Sequence, residues 1–189
     1  MPPDSSLRWS LVIPVKVLSL AKSRLTGLAG PRRAELALAM AADTVAAASA
    51  CAVVDSVVVV TDDAAAAALL SGLGALVVPD EPGDGLNPAL TFGAARADEF
   101  WPGRGRAGLA ADLPALAPAE LGRALTEAAG VPQAFVADAA GTGTTLYTAR
   151  PPAAFWPPAL RTAHAHICRW ETRLWFRSIH ITPVPAPPR

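Results

Sequence analysis

A chain of 189 residues that is 52% hydrophobic and 17% charged has the make-up of one globular domain with a sizeable core, which excludes a disordered chain. Sixteen Lys+Arg balance sixteen Asp+Glu, so bulk electrostatics give no support for a nucleic-acid or acidic-membrane partner. Only two cysteines occur, Cys51 and Cys168, which argues for a reducing compartment and against a disulfide framework. The opening Met1-Pro-Pro-Asp-Ser-Ser lacks the basic flank and apolar run of a secretory signal, and Lys16, Lys22 and Arg24 break the apolar stretches too early for a bilayer span. The expectation is a soluble, cytoplasmic protein.

Residues 10–15 (SLVIPV) form an apolar run of strand length that ends at Lys16. A helical pattern follows over 31–50, with Pro31 suited to a first turn and Glu35 to the positive end of the helix dipole. Residues 57–60 are a β-branched run with no polar alternation, as expected of a strand buried on both faces. Thr61-Asp62-Asp63 then offers an N-cap for an alanine-rich helix that runs to Leu70 and stops at Gly72 and Gly74. The next strand is 75–78, and Asn87-Pro88 predicts a helix start with Asn87 as the cap. A weaker strand at 107–111 closes on Asp112-Leu113-Pro114. A helix over 117–129, a strand over 134–137, a Gly/Thr loop and a strand over 145–148 complete the series. Alternating strands and helices predict a three-layer α/β domain with a mainly parallel sheet, whose ligands gather at the carboxyl ends of the strands.

Composition changes abruptly near Arg150. Every acidic residue but Glu171 lies before position 139, whereas all three histidines, three of the five tryptophans and Arg161, Arg169, Arg173, Arg177 and Arg189 follow it. The reading is therefore a domain over 1–150 and an atypical Pro/Arg/Trp-rich tail over 151–189, with the composition of an out-of-frame or substituted ending. His164, His166 and Cys168 alternate in that tail and would share one face of a strand, but no fourth ligand accompanies them and a zinc site is disfavoured.

Four clusters could carry chemistry. Lys16, Lys22 and Arg24 follow the first strand and could neutralise a triphosphate, or form a solvated loop. There is no Walker-type loop and no Gly-x-Gly-x-x-Gly beside them. Asn87 could meet a nucleobase edge, although capping alone accounts for it. Asp112, at a strand end before a proline, could hold Mg²⁺ against phosphate oxygens or be a turn aspartate. Asp138 through Thr145, with closely spaced glycines and threonines, could surround a phosphate or carboxylate or be a plain turn.

The runs Ile13-Pro-Val-Lys16, Ala21-Lys-Ser-Arg-Leu25, Val78-Pro-Asp-Glu-Pro-Gly-Asp-Gly-Leu-Asn87, Ala111-Asp-Leu-Pro-Ala-Leu116 and Phe135-Val-Ala-Asp-Ala-Ala-Gly-Thr-Gly-Thr-Thr145 together resemble the CofC/FbiD family, over about residues 9 to 150. Its members are phosphoenolpyruvate or 2-phospho-L-lactate guanylyltransferases of coenzyme F-420 biosynthesis. The resemblance implies a GT-A-like, nucleotide-diphospho-sugar-transferase-like fold with an incomplete C-terminal part. It also implies a reaction in which the phosphate of a three-carbon phosphoacid attacks the α-phosphorus of GTP and releases pyrophosphate. By that similarity Asp112 matches the family's metal aspartate, with Mg²⁺ as the cofactor. Lys16, Lys22 and Arg24 would face the triphosphate and do the catalytic charge neutralisation. Asn87 would lie near the guanosine, and Gly143, Thr144 and Thr145 would bind the phosphoacid, Thr144 as the threonine that contacts phosphoenolpyruvate. Positioning and charge neutralisation suffice for such a transfer without a side-chain nucleophile.

The chain departs from the family after the Gly/Thr loop. A Phe-Gly-x-x-Ser segment and a C-terminal Asp-x-Asp pair are both missing: Phe155 is followed by Trp156-Pro157-Pro158-Ala159, and no aspartate follows Asp138. Two further readings therefore stand beside the first. One is an inactive remnant that binds nucleotide or a partner, and the other is a different nucleotidyltransferase of the same fold.

Overall fold

The computed structural model describes residues 7–16, 32–81, 83–138, 143–155 and 182–183. In chain order these form β1 (Trp9–Pro14), α1 (Arg33–Ser49), β2 (Val54–Val60), α2 (Ala64–Gly72), β3 (Leu76–Val78) and α3 (Leu86–Phe100). They continue as β4 (Gly105–Leu109), α4 (Pro118–Ala128), β5 (Gln133–Ala137), β6 (Thr144–Ala149) and β7 (Thr182–Pro183).

The seven strands make one sheet in the order β3-β2-β1-β4-β6-β5-β7. β3, β2, β1 and β4 run parallel, with Val12 level with both Val58 and Gly108. The other edge is antiparallel, because β5 and β6 are joined by the short Gly/Thr loop, and a connection that tight can only join antiparallel neighbours. The α/β expectation therefore holds, with the sheet mixed. β7 adds two residues of the tail to β5, opposite Ala134 and Phe135; the rest of the tail, with His164, His166 and Cys168, lies outside the described residues.

The side chains of β1 and β2 alternate between two cores, as the pleat requires. Leu11, Ile13, Val57 and Val59 pack with buried residues of α1, α2 and α4, including Ala41, Val45, Leu70, Leu121 and Leu125. Val12, Val58 and Val60 face the opposite layer, where Ala89, Leu90, Ala94 and Ala97 of α3 meet Tyr147 and Phe155. Because both faces are covered, these strands carry no polar alternation. Small residues let α3 lie close: a Cβ at Gly93 would fall inside van der Waals contact of Val12 Cγ1 and 2.7 Å from Val60 Cγ2.

Phe155 stacks edge-on against Tyr147 with centroids 5.2 Å apart. The segment before it is tied to the sheet by Arg106 NH2 to Ala153 O (2.6 Å) and Gln133 Nε2 to Ala154 O (2.6 Å). Phe155 is thus a core residue, so the domain's packing continues slightly past the composition change. No described helix is long and apolar enough to cross a membrane.

Two helix starts are informative. Asp63 caps α2 as expected, its Oδ1 accepting from Ala65 N (3.0 Å) and Ala66 N (3.1 Å). Asn87 does not cap α3. The cap is Gly85, whose φ of 103° favours a residue without a Cβ, and Ala89 N donates to Gly85 O to close the first turn. Pro88 is tolerated within the first turn, because N–H groups there have no partner within the helix in any case.

Candidate active site

All of the expected site residues that are described lie at one end of the strands. β1, β2, β3 and β4 are parallel and end there. β6 is antiparallel to β4 and begins there, while β5 ends there. Lys16 follows β1, Asn87 opens α3 after β3, Asp112 follows β4, and Gly143, Thr144 and Thr145 open β6. Lys22 and Arg24 lie outside the described residues.

Asp112 and the Gly/Thr loop are brought together. Ala110 N donates to Thr145 O at 2.9 Å, which places the turn carrying Asp112 beside the start of β6. Lys16 lies on the other side of that turn. It follows β1 as Asp112 follows the neighbouring β4, so the cation and the carboxylate both come after the carboxyl ends of adjacent parallel strands. Both are exposed. Asn87 is half-buried in the first turn of α3, the helix that packs over β1, β2 and β4.

The Gly/Thr loop is closed at its base by Asp138 N donating to Gly143 O at 2.9 Å. The Asp138 carboxylate occupies the space a side chain at Gly143 would need, with Oδ2 2.5 Å from an ideal Cβ. Next to it, the Thr144 hydroxyl is shielded from solvent and has no hydrogen-bond partner among the described residues. A buried hydroxyl without a partner costs free energy, and a ligand oxygen would relieve that cost.

Two contributors escaped the sequence reading. Thr44 of α1 is fully buried, and its Oγ1 accepts from Leu113 N at 3.0 Å, directly behind Asp112. Asp80, after β3, receives Gly83 N on its carbonyl (3.0 Å), and its own N–H donates to Asp62 Oδ1 (2.9 Å). Its Oδ1 is buried without a partner among the described residues. Only the Pro-Asp-Glu-Pro-Gly turn chemistry hinted at Asp80, and nothing in an alanine-rich helix marked Thr44.

Among the described residues no group of three or more His, Cys, Asp or Glu could cage a metal. Mg²⁺ is usually bound through one or two carboxylates plus substrate phosphates. An exposed Asp112 on a braced turn fits a cation that arrives with a nucleotide.

The profile of the CofC-like guanylyl transferases matches residues 9–156, most of the chain. The chain belongs to that family. It is a transferase on the nucleotidyltransferase scaffold, and the family match runs to residue 156. It is 61% identical over 165 residues to the phosphoenolpyruvate guanylyltransferase of Thermomonospora curvata, covering 86% of this chain and 72% of that relative. Identity to the phosphoenolpyruvate guanylyltransferase of Streptosporangium roseum is 54% over 157 residues, covering 83% and 70%. In three dimensions the chain is similar to a Desulfovibrio desulfuricans protein assigned to the nucleotide-diphospho-sugar transferases (TM-score 0.63, 15% identity, 87% of this chain and 70% of that one). It is also similar to Rv0371c of Mycobacterium tuberculosis (TM-score 0.51, 20% identity, 77% and 73%). At these identities the two structures bear on the fold alone.

Proposed function

We propose that this family member transfers the guanylyl group of GTP to phosphoenolpyruvate, in the cytoplasm and within coenzyme F-420 biosynthesis. A phosphate oxygen of the acid attacks the α-phosphorus, the bond from that phosphorus to the bridging oxygen breaks, and pyrophosphate leaves. The observation that carries the reading is the Thr144 hydroxyl beside the turn of Asp112, buried and without a partner among the described residues, a donor that an acidic ligand would satisfy. The names of the relatives favour phosphoenolpyruvate over 2-phospho-L-lactate.

In this reading Gly143, Thr144 and Thr145 hold the phosphoacid, and Lys16 neutralises phosphate charge together with Lys22 and Arg24. Asn87 and the Asp80 carboxylate face the nucleoside; an aspartate acceptor matches the N–H donors on the Watson–Crick edge of guanine. A Mg²⁺ ion held by Asp112 and phosphate oxygens would supply charge neutralisation.

Pyrophosphate release from GTP and Mg²⁺ with each phosphoacid tests the proposal. Release with phosphoenolpyruvate is the expected result, and no release with either acid would overturn it. One observation favours a second reading, a remnant that binds nucleotide without turnover: residues 139–189 hold no aspartate, where the family resemblance leads one to expect an Asp-x-Asp pair. That reading treats residues 151–189 as a substituted ending of the domain. Calorimetry showing GTP binding in a sample that releases no pyrophosphate would establish it.

A further inference from the structure

We infer that Thr44, on a helix remote in sequence from every motif of the site, is a positioning residue that holds Asp112 in place. The inference rests on the guanylyl-transfer reading for its functional consequence. Thr44 lies on the buried face of α1 with Ala37, Ala41, Val45 and Ala48 and has no exposed surface. Its single hydroxyl proton goes to Met40 O at 2.8 Å, with Ala111 O a longer alternative at 3.3 Å. The bond to Met40 would satisfy a core threonine by itself.

The lone pair does something the helix does not need. It accepts the N–H of Leu113, 69 residues away in sequence and 3.0 Å distant. Leu113 is itself buried, so no water stands ready to take over that donor. The turn is also pinned on its other side, where Ala110 N donates to Thr145 O, and it is closed ahead by Leu116 N to Leu113 O at 3.0 Å. Asp112 is thus an exposed carboxylate on a backbone fixed before and after it.

A site with few protein ligands needs this more than a full cage does. With no cage of protein ligands among the described residues, affinity for a cation shared with a nucleotide depends on where that one carboxylate is held. Groups that orient a metal ligand are commonly worth about 10–100-fold in metal affinity or activity. Thr44 supplies such orientation through the main chain.

The test compares Thr44→Val, which keeps the shape and loses the hydroxyl, with Thr44→Ser, which keeps the hydroxyl. Val45→Ala serves as a control that opens the core one residue away without touching the turn. Calorimetry measures GTP binding with Mg²⁺ and with chelator, and hydrogen exchange follows the Leu113 amide in the nucleotide-free protein. Expected is about tenfold weaker Mg·GTP binding for Thr44→Val, restored by Thr44→Ser, with metal-free GTP binding unchanged. The Leu113 amide should exchange faster in Thr44→Val alone. Equal Mg·GTP affinity in wild type and Thr44→Val, or an equal loss in Val45→Ala, would overturn the inference. If Thr44→Val does not fold, a wild-type Leu113 amide that exchanges as fast as an open turn overturns it equally. A wild type that binds no GTP would refute the guanylyl-transfer reading instead, and the amide would still report whether Thr44 grips the turn.

Discussion

Two helical glycines should respond to alanine with opposite signs. In an exposed helix interior, alanine is more favourable than glycine by about 0.5–1 kcal/mol, because glycine loses more backbone freedom on folding. Gly122 in α4 has room for the methyl group: its nearest neighbour would be Cys51 Sγ at 3.6 Å, an ordinary contact. Gly122→Ala should therefore stabilise by about 0.5–1 kcal/mol and raise Tm by about 1–4 °C. Gly93 in α3 has no such room. Its new Cβ would collide with Val12 Cγ1 and lie 2.7 Å from Val60 Cγ2. Both valines are buried, on adjacent strands, and stiff at χ1, so they cannot swing aside. Overpacking of this kind costs about 1–3 kcal/mol, which exceeds the propensity gain. Gly93→Ala should be less stable by about 1–2 kcal/mol, with Tm lower by about 2–8 °C. Calorimetric melts of the two variants beside the wild type decide it. A rise in Tm for both would show that the close approach of α3 to the sheet has been misjudged.

Other outcomes follow from the same geometry. Asp112→Asn should cut pyrophosphate release by about 100-fold or more; retained activity would remove Asp112 from the metal role. Thr144→Val should raise KM for phosphoenolpyruvate about tenfold, the loss of one hydrogen bond at about 1.4 kcal/mol. It should not lower Tm, because the hydroxyl it removes has no partner among the described residues, and a clear destabilisation would reveal one. Asp63→Ala should cost about 1 kcal/mol in urea unfolding through loss of a cap, whereas Asn87→Ala should cost almost nothing because Gly85 is the cap of α3. Equal losses in that pair would restore the capping role to Asn87.

Much of the candidate site was proposed from the sequence because its residues stand in compact local patterns. Asp112 is marked by a strand end and a proline, and Gly143 and Thr144 by the spacing of small and hydroxylated residues. Those signals say what a residue type can do and leave open what it is near. Asn87 shows the limit: Asn-Pro has the pattern of a helix start, yet Gly85 two residues earlier can take a backbone conformation that asparagine cannot take cheaply, and it captured the cap. Thr44 shows the opposite failure, since a threonine among alanines carries no local sign of a partner 69 residues away.

The amino-acid pattern by itself determined the alternation of strands and helices. Apolar runs of strand length, helix periodicity and Gly/Pro punctuation are local properties and act before any tertiary contact forms. It also determined the family, because five short motifs kept their order and spacing. Tertiary structure decided the rest. Pairing placed β6 antiparallel beside β4, and this alone sets the Thr144 hydroxyl next to the turn of Asp112. Burial stripped that hydroxyl of water, and packing of α1 under the sheet brought the Thr44 oxygen to the Leu113 amide. The physical reason is common to all three: hydrogen bonds and close contacts between distant residues form only where the two cores bring their backbones within about 3 Å, and no local pattern records that meeting.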